Sequence, residues 1–372
     1  MPHPTAADAE LAEAIADALA LIKPAVRAQA AYTLVAPATR IKLNQNEHPL
    51  DLPEALKREI LERAIREPWN RYPEFAPRRL LEQLAAHYGW DPDGILVGNG
   101  SNELIQATLA TTLGTGDTLV APTPTFALYR LMASVLGARY AGVPFAPGFA
   151  YDVDAIIRRA QSEQARVIVL NTPNNPTGSA LPDGALERLL DATSALLVVD
   201  EAYQDFGGPS AIPLLATSPR VVVLRTFSKA LGLAGLRFGA ALAHPAVARE
   251  IAKAKLPYNV NVVTLTAASV LLAHAGRHAE AVATIVATRE RTREQLAGLP
   301  GLTVHPSAAN FLLLEFADRA PADVFRRLVD DHGILLRDVS GTPELRHCLR
   351  LSIGTPDEME ATVRALRAVL GA

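Results

Sequence analysis

The chain is poor in the residues on which several chemistries depend. Of its 372 residues one is a cysteine, Cys348, which excludes an internal disulfide and a cysteine-based zinc site. Nine histidines are present, but His3, His87, His244 and the others show no metal-ligand spacing, so no metal is expected. An excess of one charge is missing as well. The 36 Lys and Arg against 39 Asp and Glu leave a formal net charge of −3. That balance argues against nucleic acid or a membrane as partner, because both select a basic surface. No uninterrupted apolar run approaches the roughly 20 residues of a membrane span, and no basic region precedes an apolar block at the N-terminus. There is no repeat period, no G-x-x-x-x-G-K-[ST] loop and no G-x-G-x-x-G at a strand end. What is left is a globular chain, 49% hydrophobic, of a length that points to two domains and with the cytoplasm as its expected compartment.

What is present is ordered along the chain. Residues 6–23 carry Leu11, Ile15, Leu19 and Ile22 on one face at helical spacing. They read as an amphipathic arm that packs on its own fold or on a partner subunit. Residues 24–50, with Pro24, Pro37 and Pro49, read as an extended connector. Short apolar strands then alternate with helices: ILVG (95–98), TLVA (118–121), RVIVL (166–170), ALLVVD (195–200) and RVVVLR (220–225). Helical spacing falls between them, at Leu52–Ile65, Arg79–Tyr88, from Asn102, near Phe126–Leu136 and over Asp183–Ala192. This alternation predicts a mostly parallel sheet covered on both faces. A long helical stretch over 262–297 follows, and then an α+β pattern with strands in 310–316, 333–339 and 349–354. The expected division is an N-terminal arm and part of a small domain (1–44), a large domain (45–270) and a small C-terminal domain (271–372).

Ligands of open parallel sheets bind beyond the carboxyl ends of the strands. After ILVG comes Asn99-Gly100-Ser101-Asn102, a glycine-flanked turn at a helix N-terminus that offers free N–H groups to an anion. After RVIVL comes NTPNNPTG (171–178), ALLVVD ends in Asp200, and RVVVLR leads into Thr226-Phe227-Ser228-Lys229, with Arg237 beyond. Each feature alone is common. Together they converge an anion cradle, a lysine and a carboxylate. That set suits a phosphate-bearing cofactor with an electrophilic group for the lysine and a basic nitrogen for the carboxylate, as pyridoxal phosphate has.

The chain resembles the fold-type I pyridoxal-phosphate aminotransferases, and among them the histidinol-phosphate aminotransferases, from about Tyr32 to Ile353. The resemblance is carried by LNQNEHP (43–49), RYPE (71–74), GNGSNEL (98–104), NTPNNPTG (171–178), VVDEAYQDF (198–206), FSKALGLAGLRFG (227–239), PYNVN (257–261) and LRLSIGT (349–355). It implies an α/β fold with a mostly parallel seven-stranded sheet in an αβα large domain beside a smaller α+β domain. It also implies pyridoxal 5'-phosphate as cofactor, with Lys229 as Schiff-base lysine and Asp200 at the pyridine nitrogen. Asn175 and Tyr203 would lie at the phenolic oxygen and Tyr129 would stack on the ring. Ser101, Asn102, Thr226, Ser228 and Arg237 would hold the phosphate. Tyr72 would reach the phosphate of the neighbouring subunit, which implies a homodimer with shared sites.

For the substrate, the resemblance places Arg350 and Arg337 at the donor's anionic group, with Tyr32, Asn46 and Asn259 nearby. Two arginines suit a phosphate, since fork donors can saturate its oxygens. The implied reaction is amino transfer from L-histidinol phosphate to 2-oxoglutarate. The alternatives are an aromatic amino acid aminotransferase, a threonine-phosphate decarboxylase and a cofactor-binding regulatory module. His48 departs from the family pattern, which commonly has asparagine before that proline.

Overall fold

The computed structural model describes residues 6–29 and 37–371; Tyr32 lies outside them. Twelve strands are present among the described residues: β1 (Ile41–Leu43), β2 (Ile95–Gly98), β3 (Thr118–Thr123), β4 (Arg139–Pro144), β5 (Val167–Asn171), β6 (Leu196–Asp200), β7 (Val221–Thr226), β8 (Gly239–Ala243), β9 (Leu302–Val304), β10 (Phe311–Phe316), β11 (Ile334–Asp338) and β12 (Cys348–Ser352). Seven form one sheet in the order β2-β8-β7-β6-β5-β3-β4. All pairs from β7 to β4 are parallel, whereas β8 runs antiparallel to both β7 and β2. Every residue of β5 and β7 is buried, as a sheet covered by helices on both faces requires. Two apolar clusters line its two faces, one including Ile168, Leu170 and Val199, the other Val167, Val169 and Val198.

The second sheet has the order β1-β11-β12-β10-β9. Its first strand comes from the segment expected to be a plain connector. Ile41, Lys42 and Leu43 pair in parallel with Ile334, Leu335 and Leu336 of β11. A three-residue strand leaves no periodicity to read, and pairing with a distant strand creates it. The helical stretch at 262–297 divides into Val262–Ala273 and Ala275–Leu296 at His274, whose φ of −112° and ψ of 28° leave the helical region. Leu11, Ile15 and Leu19 lie in the helix Ala6–Ala20 and remain about half exposed or more in the single chain. The following segment is tied to the helix Leu128–Leu136 by Lys23 Nζ donating to Val135 O at 3.2 Å and Gln29 Nε2 donating to Ser134 Oγ at 3.0 Å.

Strand β8, GAALA, has little strand propensity of its own. Its place is set by a close approach. A Cβ on Gly239 would stand 2.5 Å from Ser101 N, 2.7 Å from Gly100 C and 3.0 Å from Arg225 O, all backbone atoms. Glycine here lets the turn after β2 lie directly on the end of β8. Gly239→Ala is therefore expected to cost about 1–3 kcal/mol by overpacking and to lower the thermal midpoint of the cofactor-free protein. An unchanged midpoint in calorimetry would refute that contact.

Candidate active site

At the carboxyl ends of the parallel strands lies a cleft of about 460 Å³, walled on its other side by β11, β12 and the loop after β1. One end is built for an anion. The helix Ser101–Thr112 begins at Gly100, whose φ of +82° favours glycine. Its first turn points unpartnered N–H groups at the cleft, where Ser101 and Asn102 stand. Asn99 N–H donates to Glu103 Oε2 at 2.6 Å and holds the turn. Opposite, Ser228 N–H donates to Thr226 Oγ1 at 3.2 Å, and Arg237 Nη1 donates to Ser228 Oγ at 3.1 Å and to Ala234 O at 3.1 Å. A Cβ on Gly100 would lie 2.4 Å from Arg237 Nη2, so the missing side chain is what admits the guanidinium to the turn.

The middle of the cleft holds Asp200, the last residue of β6 and 3% exposed. Its carboxylate accepts from Tyr129 Oη at 2.6 Å and from Ala202 N–H at 3.1 Å. Burial pushes its pKa up, against the lowering effect of those two bonds. No ion pair to Asp200 occurs among the described residues. Tyr129 is fully buried and stands behind Asp200, not on the cleft wall. The expected stacking role therefore does not fit Tyr129. It faces the sheet in the helix Leu128–Leu136, together with Met132 and Ala133. The aromatic of this segment that lines the cleft is Phe126, three residues earlier and edge-on to Tyr129 at 5.8 Å. The motif PTFALY contains both rings, and only the start of the helix decides which one faces the cleft.

Lys229 Nζ donates to Gln45 O at 2.9 Å and lies 5.7 Å from the ring centre of Tyr203. Desolvation first, then the positive charges of Arg350 and Arg237, lower its pKa to about 7. A large share of this amine is thus neutral, and nucleophilic, near neutral pH. Tyr203 Oη accepts from Asn46 Nδ2 at 3.1 Å, so its own proton remains available for donation into the cleft. Asn46 lines the floor, but its polar groups are committed. Its N–H donates to Ser352 Oγ at 2.9 Å, its Oδ1 accepts from Ser352 Oγ at 2.8 Å, and its carbonyl accepts from Asn310 Nδ2 at 3.1 Å. Ser352 lies in LRLSIGT and Asn310 opens the strand stretch 310–316, but neither is assigned a role by the sequence.

At the other end, Arg350 Nη1 donates to Asn175 Oδ1 and Nη2 donates to Asn44 O at 2.8 Å. Arg337 sits directly opposite Arg350 in the antiparallel register of β11 and β12. Both line the cleft, as does Asn175. Two other expected site residues stand elsewhere. Asn259 donates to Glu103 at 2.9 and 3.0 Å and to Val97 O at 3.2 Å, behind the anion turn and outside the cleft. Tyr72 is 81% exposed and stacks on Tyr258 with ring centres 4.6 Å apart. His48, where the family pattern is departed from, bonds Leu50 O at 2.7 Å and rests against Gly232 in the turn after Lys229.

This donor set fits pyridoxal 5'-phosphate. The cradle takes a phosphate, and the buried carboxylate without a cation takes a protonated ring nitrogen. The amine of lowered pKa takes the aldehyde carbon. Comparison with known proteins points the same way. The family described as "Aminotransferase class I and II" matches residues 38–366. The chain is 41% identical over 349 residues to a histidinol-phosphate aminotransferase of Chlorobium phaeobacteroides, covering 93% of this chain and 96% of the relative. It is 42% identical over 332 residues to that of Chlorobium luteolum, covering 88% and 92%. The solved histidinol-phosphate aminotransferase of Sinorhizobium meliloti in complex with pyridoxal-5'-phosphate superposes with a TM-score of 0.84 at 25% identity, covering 95% of this chain and 98% of that one.

The Lys229 amine carries a pH signature. It binds its proton less tightly in the folded chain than in the unfolded one, so its cost is absent above the ordinary lysine value of 10.5 and complete below about 7. Cofactor-free Lys229→Met is expected to be more stable than the parent chain at about pH 6 and to converge on it towards the ordinary lysine value. Urea unfolding across that range measures the difference; a gap independent of pH would contradict the lowered pKa.

Proposed function

The chain belongs to the class I and II aminotransferases, and from that premise we propose that it transfers the amino group of L-histidinol phosphate to 2-oxoglutarate, giving imidazole-acetol phosphate and L-glutamate. The observation that carries this reading is the pair Arg337 and Arg350, opposite each other across two strands at one end of the cleft. Like charges facing each other on a sheet oppose pairing, and a phosphate dianion offsets two of them where a single carboxylate offsets one. The names of the relatives at 41 and 42% identity agree with it.

When bound, the cofactor supplies a carbonyl carbon that accepts the amino group and a ring that withdraws electrons. The chain does the rest. Ser101, Asn102, Thr226, Ser228 and Arg237 hold the phosphate by N–H, hydroxyl and guanidinium donors. Asp200, fixed by Tyr129, would hold a proton on the ring nitrogen. Tyr203, oriented by Asn46, would donate to the phenolic oxygen together with Asn175, and Phe126 would pack on the ring. Lys229 Nζ carries the proton that leaves the donor's amine-bearing carbon. Arg337 and Arg350 anchor the donor phosphate, and they take the acceptor's far carboxylate in the second half of the reaction.

The same reading includes a homodimer in the cytoplasm, with residues 45–270 as the large domain and 1–44 together with 271–372 as the small one. Among the described residues no helix is long and apolar enough to cross a membrane. Tyr72, Phe75 and Tyr258 form an aromatic group exposed on the single chain and outside the lining of its own cleft. That placement suits a tyrosine serving the neighbouring site, and the half-exposed stripe of the helix Ala6–Ala20 suits burial on the partner.

Two experiments test these assignments. Cofactor-loaded protein is mixed with histidinol phosphate, phenylalanine, tyrosine or threonine phosphate without acceptor, and loss of the visible absorbance is followed. Histidinol phosphate is expected to react fastest, and Arg337→Gln to slow it by about 10- to 100-fold, the worth of a charge-assisted bond. Faster reaction with phenylalanine, or release of carbon dioxide from threonine phosphate, would overturn the substrate. For the shared site, chains carrying Lys229→Ala are mixed with chains carrying Tyr72→Ala. The hybrid regains one intact site and hence activity that neither parent shows; no recovery on subunit exchange rules out a shared site.

A further inference from the structure

Directly behind the cleft lies a buried ion pair that the reaction does not touch. Glu201 is 0% exposed and the Arg225 side chain 7%, with Nη2 to Oε2 at 2.8 Å. The carboxylate also accepts from Ser210 Oγ at 2.9 Å and from Ala211 N–H. Arg225 Nη2 donates to Ser210 Oγ at 3.2 Å, Nη1 stands 3.6 Å from Asp205, and the guanidinium carbon lies 5.5 Å from the ring centre of Tyr88. Arg225 Nε is buried with no hydrogen-bond partner among the described residues.

The position of the pair in sequence is its informative feature. Glu201 follows Asp200, and Arg225 precedes Thr226. Successive side chains along a strand face opposite sides, so each member of the pair stands back to back with a group that faces the cleft. The backbone continues the ladder at this point, with Glu201 N–H donating to Leu224 O at 2.9 Å. The pair therefore cross-links the ends of β6 and β7 and fastens the Ser210–Ala211 segment to both.

Stability alone does not account for such a pair. Two buried ions lose their hydration, and well-packed apolar residues in their place are commonly neutral or stabilising. The unpartnered Nε adds to the cost. What a rigid guanidinium held among Glu201, Ser210 and Asp205 provides and apolar contact does not is a fixed lateral spacing between two strand ends. We infer that Glu201 and Arg225 are positioning residues, which set the separation of Asp200 from Thr226 and Ser228 and so the distance over which the site spans ring nitrogen and phosphate. This rests on the assignment of Asp200 to the ring nitrogen.

The test is the double variant Glu201→Met/Arg225→Met, which removes both charges and strands neither. Three quantities are measured: the thermal midpoint of the cofactor-free chain, the dissociation constant of pyridoxal 5'-phosphate by absorbance titration, and the pH midpoint of the visible band of the bound cofactor. The expected result is an unchanged or raised midpoint with affinity weakened by about tenfold, the scale on which outer contacts act on a bound group. The pH midpoint of the visible band of the bound cofactor is expected to move as well. Arg225→Lys, which keeps the charge without the fork, should fall between. Wild-type affinity in the double variant would overturn the inference, and so would an affinity loss matched by an equal loss of cofactor-free stability. Asp200→Asn in the same titration separates the two claims: if it too binds like wild type, the assignment of Asp200 fails first.

Discussion

Four basic side chains, Lys229, Arg237, Arg337 and Arg350, face one cleft in a chain whose formal net charge is −3. Their mutual repulsion is the constraint around which the site is organised. Its effect is visible without any ligand, since Arg350 and Arg237 both help to depress the lysine after desolvation has done most of it. Bound anions relieve that repulsion, one at each end, and the fold supplies a reason for each cation to stay. Arg237 is held by Ser228 and Ala234 O, and Arg350 by Asn175 and Asn44 O.

The two sheets divide this work. The large sheet presents Asp200, Thr226 and the turn after β2 from strands buried on both faces, where close packing leaves little room for drift. The small sheet brings Arg337 and Arg350 from strands β11 and β12. Between them runs the loop after β1, whose Gln45 O accepts from Lys229 and whose Asn46 reaches both Tyr203, after β6, and Ser352 of β12. Asn46 adopts a φ of +54°, which is uncommon for a side chain of its kind outside αL turns. The bonds that fix this residue come from Tyr203, in the segment after β6, and from Ser352 and Asn310 in and beside the second sheet, so the floor of the cleft is also a link between the two.

Much of this was legible in the residues. The valine-rich runs of β5, β6 and β7 can only be buried strands, and the polar residue ending or following each run marks the side on which ligands bind. Less could be read where tertiary contact overrides local preference. The GAALA strand has no propensity to announce it, β4 is half exposed and alternates weakly, and β1 is too short to show a period. Among site residues the motifs located Lys229, Asp200 and Arg237 in the cleft. Sequence could not say which way a ring turns. Phe126, not Tyr129, lines the cleft because Tyr129 falls in the first turn of the helix Leu128–Leu136 on its buried face, while Phe126 precedes that helix. Asn259 sits in a loop whose bonds to Glu103 depend on distant pairing, and Glu201 next to Asp200 carries no sign of the arginine it meets.

Asp200 and Lys229 are perturbed in opposite directions for one reason, and that links cofactor to protonation. Desolvation disfavours charge on both: it raises the carboxyl of Asp200 and lowers the amine of Lys229. In the chain alone burial therefore works against charge on both groups. A protonated ring nitrogen beside Asp200 restores the reason for its carboxylate to ionise. A phosphate beside Arg237 screens one of the charges that hold Lys229 down. Linkage makes both effects reciprocal, so whatever protonates the ring partner or the lysine also alters how firmly the site holds its anions. The low dielectric that tunes the two groups is thus the same property that makes their occupancy, and not the protein's overall charge, govern the chemistry of the cleft.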